Sequence, residues 1–412
     1  GRKGDSRFSP VSWDQALDAV ACRMLEIRDE VGAEAILPVS YGGSNGLVSQ
    51  DTADAQLFRR FGTSRLARTV CAAPTTAVSR ALYGRMAGVA YRDYEQARLI
   101  VVWGANPSTT GIHLVPHIRA AVKAGAALVV VDPRRTPLAQ QADIHLAVRP
   151  GTDVVVALAI HRFLFEQELA DTAFLAEHTH GAEQLRARAD EWTFERAAAV
   201  AEIDVELLER VAELYAETSP AVIRCGWGLE RNRNGGNAAM AVLALPAVAG
   251  KFGVRGGGFS MSNSGAWNLS PDTWIDTPEP DTRIVNMNLL GKALLEYHDP
   301  PIQMLFVYNC NPVATMPNQN RVLEGLARED LFTVVFEQVM TDTAQLADVV
   351  LPATTFLESY DVAKSYGLTN LQLVRPVIDA VEEARPNVEV FAELATRLGL
   401  DAGRDQATDA EA

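Results

Sequence analysis

Amide and carboxylate side chains recur in this chain at one fixed offset. Asn106-Pro107 returns as Asn311-Pro312, and Asp132 returns as Glu337. The run Thr-x-x-Ala-Gln-x-Ala-Asp begins at Thr136 and again at Thr341. Each pair has the same separation along the chain (311 − 106 = 205). An acid that closes a strand can accept hydrogen bonds from a ribose or from a guanine edge. One Asn-Pro or Asp-Pro alone is most simply a turn former. Two copies in register point instead to two similar ligand sites related by pseudo-symmetry.

The elements that must position these residues lie around them. The first copy runs from Val101 to Leu146 and the second from Phe306 to Leu351. In each, a β-branched run (Leu99–Trp103, Met304–Tyr308) ends in the loop that carries the amide. An amphipathic helix of roughly 10–15 residues is expected next, then a second Val-rich strand (128–131 and 333–336). Apolar strands alternating with helices imply an α/β fold with mainly parallel sheets covered on both faces. Ligands bind such sheets beyond the carboxyl ends of the strands. Gly104, Asn106 and Asp132, with their partners Asn309, Asn311 and Glu337, occupy those ends. Gly42, Gly43 and Asn45 end the first strand and can present backbone N–H groups to a phosphate. Gly226-x-Gly228 and Gly256-Gly257-Gly258 permit close backbone approach.

Composition bounds the class. A chain of 412 residues exceeds one core and implies two or more domains. Its 48% hydrophobic and 22% charged residues are those of a globular protein. A net charge of −15 argues against nucleic acid or an anionic membrane as partner. No apolar run reaches the roughly 18–20 residues that span a bilayer, and residues 238–250 read as a buried helix. The chain opens GRKGDSRFSP, without an initiator Met or an apolar signal segment. It therefore reads as a piece of a longer protein, with a cytoplasmic location favoured and any upstream targeting signal out of view.

The four cysteines are scattered, and no Cys-x-x-Cys pair is available to hold a cluster. Cys22 and Cys225 read as core residues, and Cys310 sits in the second-copy loop. Cys71 lies just before an expected helix beginning near Thr76, where the helix dipole favours a thiolate. Arg68 adds positive potential, and Ala72 and Ala73 leave room over the sulfur. A packed cysteine is the competing reading on these residues alone. His113 and His117 read as a packing or surface pair, and neither a Ser-His-Asp elbow nor a Walker loop occurs.

Taken in order, the segments FSPVSWDQALDAVA, YGGSNG, RTVCAAPTTA, VVWGANPS, VVVDPRRTPLAQQADIHLAVRPGTD, GWGLERNRNGGN, ALPAVAGKFGVRGGG, VYNCNPVATMP and FEQVMTDTAQLADVVLPATTFLE carry a family likeness. The chain resembles the molybdopterin oxidoreductases, the group of dimethyl sulfoxide reductase, periplasmic nitrate reductase and formate dehydrogenase. The resemblance implies one molybdenum or tungsten atom held by two pterin guanine dinucleotides. It places Cys71 where the family has its protein ligand to the metal, and Arg68 is expected to serve catalysis beside it by orienting that metal. It places Asn106, Asp132, Arg134, Gly151 and Asp153 around one dinucleotide. Asn309, Asn311, Glu337, Thr341 and Thr343 are the mirrored set for the other. A small-molecule substrate and an electron-transfer partner protein are implied as well.

Three departures qualify the resemblance. The 4Fe-4S cysteine cluster that opens the family is not in this sequence, so the centre is expected elsewhere in a full-length protein. The closing barrel-like domain is also not in it. Formate dehydrogenases of the family carry His after the metal ligand, and here that residue is Ala72. The implied activity is two-electron oxygen-atom or hydride transfer on a small substrate. A non-redox hydratase or transhydroxylase of the family, and a cofactor-free module like that of respiratory complex I, remain alternatives. The expected architecture is two interleaved Rossmann-like domains. The first combines residues 1–66 and 265–404, the second is inserted at 67–264, and 405–412 form a polar tail. Residues 255–265 are expected to be a Gly-rich return linker.

Overall fold

The computed structural model describes residues 3–5, 7–43, 46–267, 269–270, 273–400 and 405–412. The chain forms two compact α/β units. The first comprises Gly1–Cys71, Leu269–Lys364 and Leu371–Ala412, and the second comprises Ala72–Asn268 and Ser365–Asn370.

In the first unit four parallel strands lie in the order Ile36–Ser40, Met304–Tyr308, Phe332–Glu337, Val349–Pro352. Alternate residues face opposite sides, as the period of two requires. Met304, Phe306 and Tyr308 join one core with helices Trp13–Glu30, Ala53–Phe61 and Asn387–Arg397. Leu305 and Val307 join the other, with helices Leu290–Glu296 and Gln319–Leu326. The first helix starts where it does because Ser12 and Gln15 close a reciprocal capping box.

The second unit has five parallel strands in the order Ile144–Leu146, Ala127–Val131, Leu99–Trp103, Ala221–Cys225, Gly258–Ser260. Its two faces are again separate cores, with Val101 and Trp103 on one side and Ile100 and Val102 on the other.

Several sequence expectations need correction. The first unit continues past residue 66 because Arg65–Ala67 pairs in parallel with Ile284–Asn286. The Gly-rich return segment is no linker. Its residues Gly258–Ser260 are the edge strand paired with Val222–Arg224. The last residues are not a loose tail, since Asp405 pairs with Arg60 and Asp409 Oδ2 accepts the Tyr360 N–H. Cys22 is exposed, because it falls off the stripe of Leu17, Val20, Ala21, Met24 and Ile27 that faces the core. Each crossover helix is also broken. The first splits into Pro107–Thr110 and Val115–Lys123, and the second into Pro312–Thr315 and Gln319–Leu326. Gly111 interrupts one and Pro317 the other.

One buried group gives the second unit a pH dependence. His161 is fully buried in the helix Asp153–Glu166, and its Nε2–H donates to Ala241 O at 2.8 Å while Nδ1 has no partner. Burial lowers its pKa from 6.5 to about 4. A depressed folded value means the unfolded chain binds the proton first, so stability falls as pH drops from 6.5 toward 4. Urea unfolding should show wild type losing about 2 kcal/mol between pH 7.5 and pH 5 relative to His161→Leu. Parallel curves for the two proteins would exclude the buried histidine as the cause.

Candidate functional site

The two copies of the repeat share more than sequence. Gly104 and Asn309, which follow the first strands, both take left-handed backbone with φ of 59° and 55°. Asn106 (φ −120°, ψ 77°) and Asn311 (φ −116°, ψ 83°) then occupy the N-cap positions of the two four-residue helices, neither with a side-chain capping bond. Thr136 Oγ1 accepts the Ala139 N–H and Thr341 Oγ1 accepts the Ala344 N–H, each at 3.2 Å. Asp143 and Asp348 accept the N–H groups of Leu128 and Thr333 at 2.8 and 2.7 Å. The Thr…Asp motif thus ties the segment that leaves each second strand back to the start of that strand, and the Thr341 hydroxyl oxygen serves that turn.

In the first unit the strand ends open on a cleft of about 390 Å³. Gly43, Asn309, Cys310 and Glu337 line it, together with Ser49, Thr354, Thr355, Tyr360, Asp361, Asn387 and Asp409. A Cβ at Gly43 would stand 2.5 Å from Asn309 Cβ, so a larger residue there would collide with the loop. Asn309 Nδ2 and Asn387 Nδ2 both donate to Ser49 O, at 3.1 and 2.8 Å. Glu337 Oε1 accepts the Gln338 N–H at 2.8 Å. Asn311 and Thr343 are joined by a 2.6 Å hydrogen bond. Burial pushes the Cys310 thiol up to about 12. Asn45 lies outside the described residues.

In the second unit Gly104, Asn106, Asp132, Gly151, Asp153 and Gly228 lie around the carboxyl ends of the strands. Asp132 is buried, and its Oδ1 accepts the Arg134 N–H at 2.8 Å while the Arg134 side chain is exposed. Asp153 Oδ1 accepts the Trp103 Nε1–H at 2.8 Å, and burial raises its carboxyl. Thr152, at the helix cap position, donates to Arg149 O instead of capping. Gly151 takes φ 89°, which favours glycine. Gly226 and Gly228 pack on Gly104, since a Cβ on either would stand 2.2 or 2.7 Å from Gly104 O.

Unmet hydrogen-bonding capacity concentrates at this edge. Asn106 Oδ1, Arg224 Nε, Glu230 Oε1, Asn263 Oδ1 and Trp267 Nε1 are buried side-chain atoms with no partner. All five belong to the ends of Leu99–Trp103, Ala221–Cys225 and Gly258–Ser260 or to the connections that leave them. Buried polar atoms are normally satisfied, so these five have hydrogen-bonding capacity that a ligand at the strand ends could meet. Sequence reasoning missed Glu230, Asn263 and Trp267. Glu230 stands in the GWGLE segment, but its burial depends on tertiary packing. Its Oε2 accepts the Thr75 N–H and O–H at 3.0 and 3.1 Å. That bond caps the helix Ala73–Tyr83, whose own cap residue, Ala72, has no side-chain acceptor.

Cys71 is half-buried and is not in a disulfide. The segment leading to it is tied down in the first unit. Arg68 Nη1 donates to both Asp51 carboxylate oxygens at 3.0 and 2.8 Å, Nη2 to Ser40 Oγ at 2.7 Å, and Nε to Ser40 O at 3.2 Å. Ser40 pairs across the sheet with Tyr308, whose hydroxyl donates to Asp54 Oδ2 at 2.7 Å. Burial, then the Asp51 charge, raises the Asp54 carboxyl. One polar network therefore holds the exit of the first strand, the exit of the second-copy strand and the approach to Cys71. Asp54 and Tyr308 were not singled out from the sequence, where they read as ordinary helix and strand positions. Tyr308→Phe removes the hydroxyl from a buried carboxyl and is expected to cost about 2 kcal/mol in urea unfolding. A loss under about 0.5 kcal/mol would mean that Asp54 does not depend on it.

A family model described as molybdopterin oxidoreductase matches residues 1–397. The chain is 38% identical over 404 residues to the probable oxidoreductase YoaE of Bacillus subtilis, covering 97% of this chain and 59% of that protein. It is 31% identical over 403 residues to the probable oxidoreductase YyaE of the same organism, covering 97% and 60%. It therefore spans about three-fifths of the length of these relatives. The solved acetylene hydratase of Pelobacter acetylenicus superposes with a TM-score of 0.85 at 23% identity, covering 100% of this chain and 62% of that one. With residues 1–397 of its 412 matched and the doubled α/β fold in place, the chain belongs to the molybdopterin oxidoreductase family.

Proposed function

We propose that this chain holds a molybdenum or tungsten bis-pterin guanine dinucleotide and takes part in two-electron oxygen-atom or hydride transfer on a small substrate. The observation that carries the reading is the doubled strand-end geometry at Gly104–Asn106 and Asn309–Asn311, one nucleotide half in each unit. The residues present fit the group. The second unit has five unpartnered buried polar atoms at its strand ends. The cleft of the first unit includes Glu337, Asp361 and Asp409, with no Lys or Arg among the described residues that line it. Such a lining suits the N–H and O–H donors of a nucleoside and disfavours a bare phosphate.

When bound, the metal and its pterins supply the two-electron chemistry. The chain supplies the hold. Cys71 would give the metal a soft thiolate ligand. Asp132 and Glu337 would accept hydrogen bonds from the two nucleotides, with Asn106 and Asn309 beside them. Gly151 and Gly228 would keep the backbone close, and Asp153 would hold Trp103 in place. Arg68, committed to Asp51 and Ser40, would fix the approach to Cys71 and not touch substrate. The iron–sulfur centre and the electron partner of a longer protein belong to this reading as well.

Metal analysis and acid hydrolysis of the protein purified from cofactor-making cells test it. About one molybdenum or tungsten and two guanine nucleotides per chain are expected. A protein without either metal, or with one nucleotide per metal, would sink it.

A further inference from the structure

Backbone and side chains disagree about how alike the two halves are. Asn106 and Asn311 have the same backbone conformation and stand at the N-cap position of the same kind of short helix. In the second copy Thr343 is fully buried and its hydroxyl donates to Asn311 Oδ1 at 2.6 Å. The same Thr343 oxygen accepts the Val313 N–H at 3.1 Å. The Asn311 carbonyl is thereby locked between its helix and the following turn. The equivalent residue of the first copy is Leu138 (343 − 205 = 138), which is buried and has no hydroxyl. Asn106 Nδ2 donates to Thr109 Oγ1 at 3.0 Å, and Asn106 Oδ1 is buried without a donor. An unmet buried carbonyl has lost its water without gaining a replacement bond.

We infer that the two nucleotide half-sites are unequal. Asn106 reads the nucleotide of the second unit, its Oδ1 accepting a hydrogen bond from a ribose hydroxyl or a guanine N–H. Asn311 is a positioning residue, braced by Thr343. The first-copy half therefore makes one more direct contact and binds its nucleotide more tightly. This rests on the nucleotide reading above. It goes further by stating which half depends on its amide.

The test is calorimetric titration of guanosine diphosphate into the full chain purified from cells unable to make the pterin. Wild type should show two sites at least tenfold apart in affinity. Asn106→Ala should weaken the tighter site about tenfold or more. Asn311→Ala should leave that site within about threefold and lower the melting temperature. If Asn311→Ala does not fold, Thr343→Val breaks the same bond and should also leave the tighter site intact. Leu138→Thr, which offers Asn106 a hydroxyl, should weaken that site several-fold. Equal losses from Asn106→Ala and Asn311→Ala, or no loss from Asn106→Ala, would overturn the inequality. So would a wild-type chain that binds no guanosine diphosphate. In that case, guanine nucleotide in the protein from cofactor-making cells would show that the broader reading survives, and its absence that both fall.

Discussion

Cys71→Ala is expected to yield a folded protein whose turnover per metal falls by roughly a thousandfold or more, equivalent to about 4 kcal/mol of barrier. The side chain is half-buried, so its removal opens little core volume. Arg68 keeps its four hydrogen bonds, and Thr69 keeps its bonds to Asn286 and Asn288. The segment therefore retains its anchors, and thermal melting should move by no more than about 2 °C. Activity should collapse for a different reason, the loss of the soft ligand that Cys71 is proposed to give the metal. X-ray absorption at the metal edge gives a readout independent of substrate, since one sulfur neighbour should disappear. Turnover within tenfold of wild type, or an unchanged sulfur count, would remove Cys71 from the metal's shell.

How much of this was legible in the sequence follows from the range of the forces involved. The repeat was legible because duplication leaves the same residue types at the same spacing. The parallel strands were legible because burial on both faces demands unbroken apolar runs such as Leu99–Trp103 and Met304–Tyr308. Cys71 stood out through resemblance, since the residues around it on their own favour a packed cysteine.

What stayed hidden was set by tertiary packing. The strand Gly258–Ser260 is three residues long and glycine-flanked, so nothing in its pattern separates it from a linker. Glu230 caps a helix more than 150 residues earlier, a pairing that no local signal encodes. The inequality of Asn106 and Asn311 turns on residue 138 against residue 343, and only the structure shows that Thr343 reaches the amide. Cys22 illustrates the opposite error, an apolar residue assigned to the core although the helix stripe passes beside it.

Gly226→Ala is expected to destabilise the protein by about 4 kcal/mol, above the usual 1–3 kcal/mol for overpacking. The backbone at Gly226 is extended (φ −105°, ψ 175°), so alanine meets no conformational obstacle. The cost is wholly steric. A Cβ would stand 2.2 Å from Gly104 O and 2.5 Å from Ala105 Cβ. The contacted oxygen is backbone, so no flexible side chain can swing aside. Relief requires moving apart two strand ends that the Gly226 N–H to Trp103 O bond (2.8 Å) and the Gly228 N–H to Gly104 O bond (3.0 Å) hold together. Gly236→Ala provides the control, because a Cβ there meets nothing within 4 Å. It should unfold within about 0.5 kcal/mol of wild type. The displaced strand end leads through Gly104 to Asn106, so Gly226→Ala should also weaken nucleotide retention in the fraction that folds. Equal stability of the two alanine variants would show that the strand ends do not meet as closely as described, and the glycine pair would lose its role in shaping the proposed nucleotide edge.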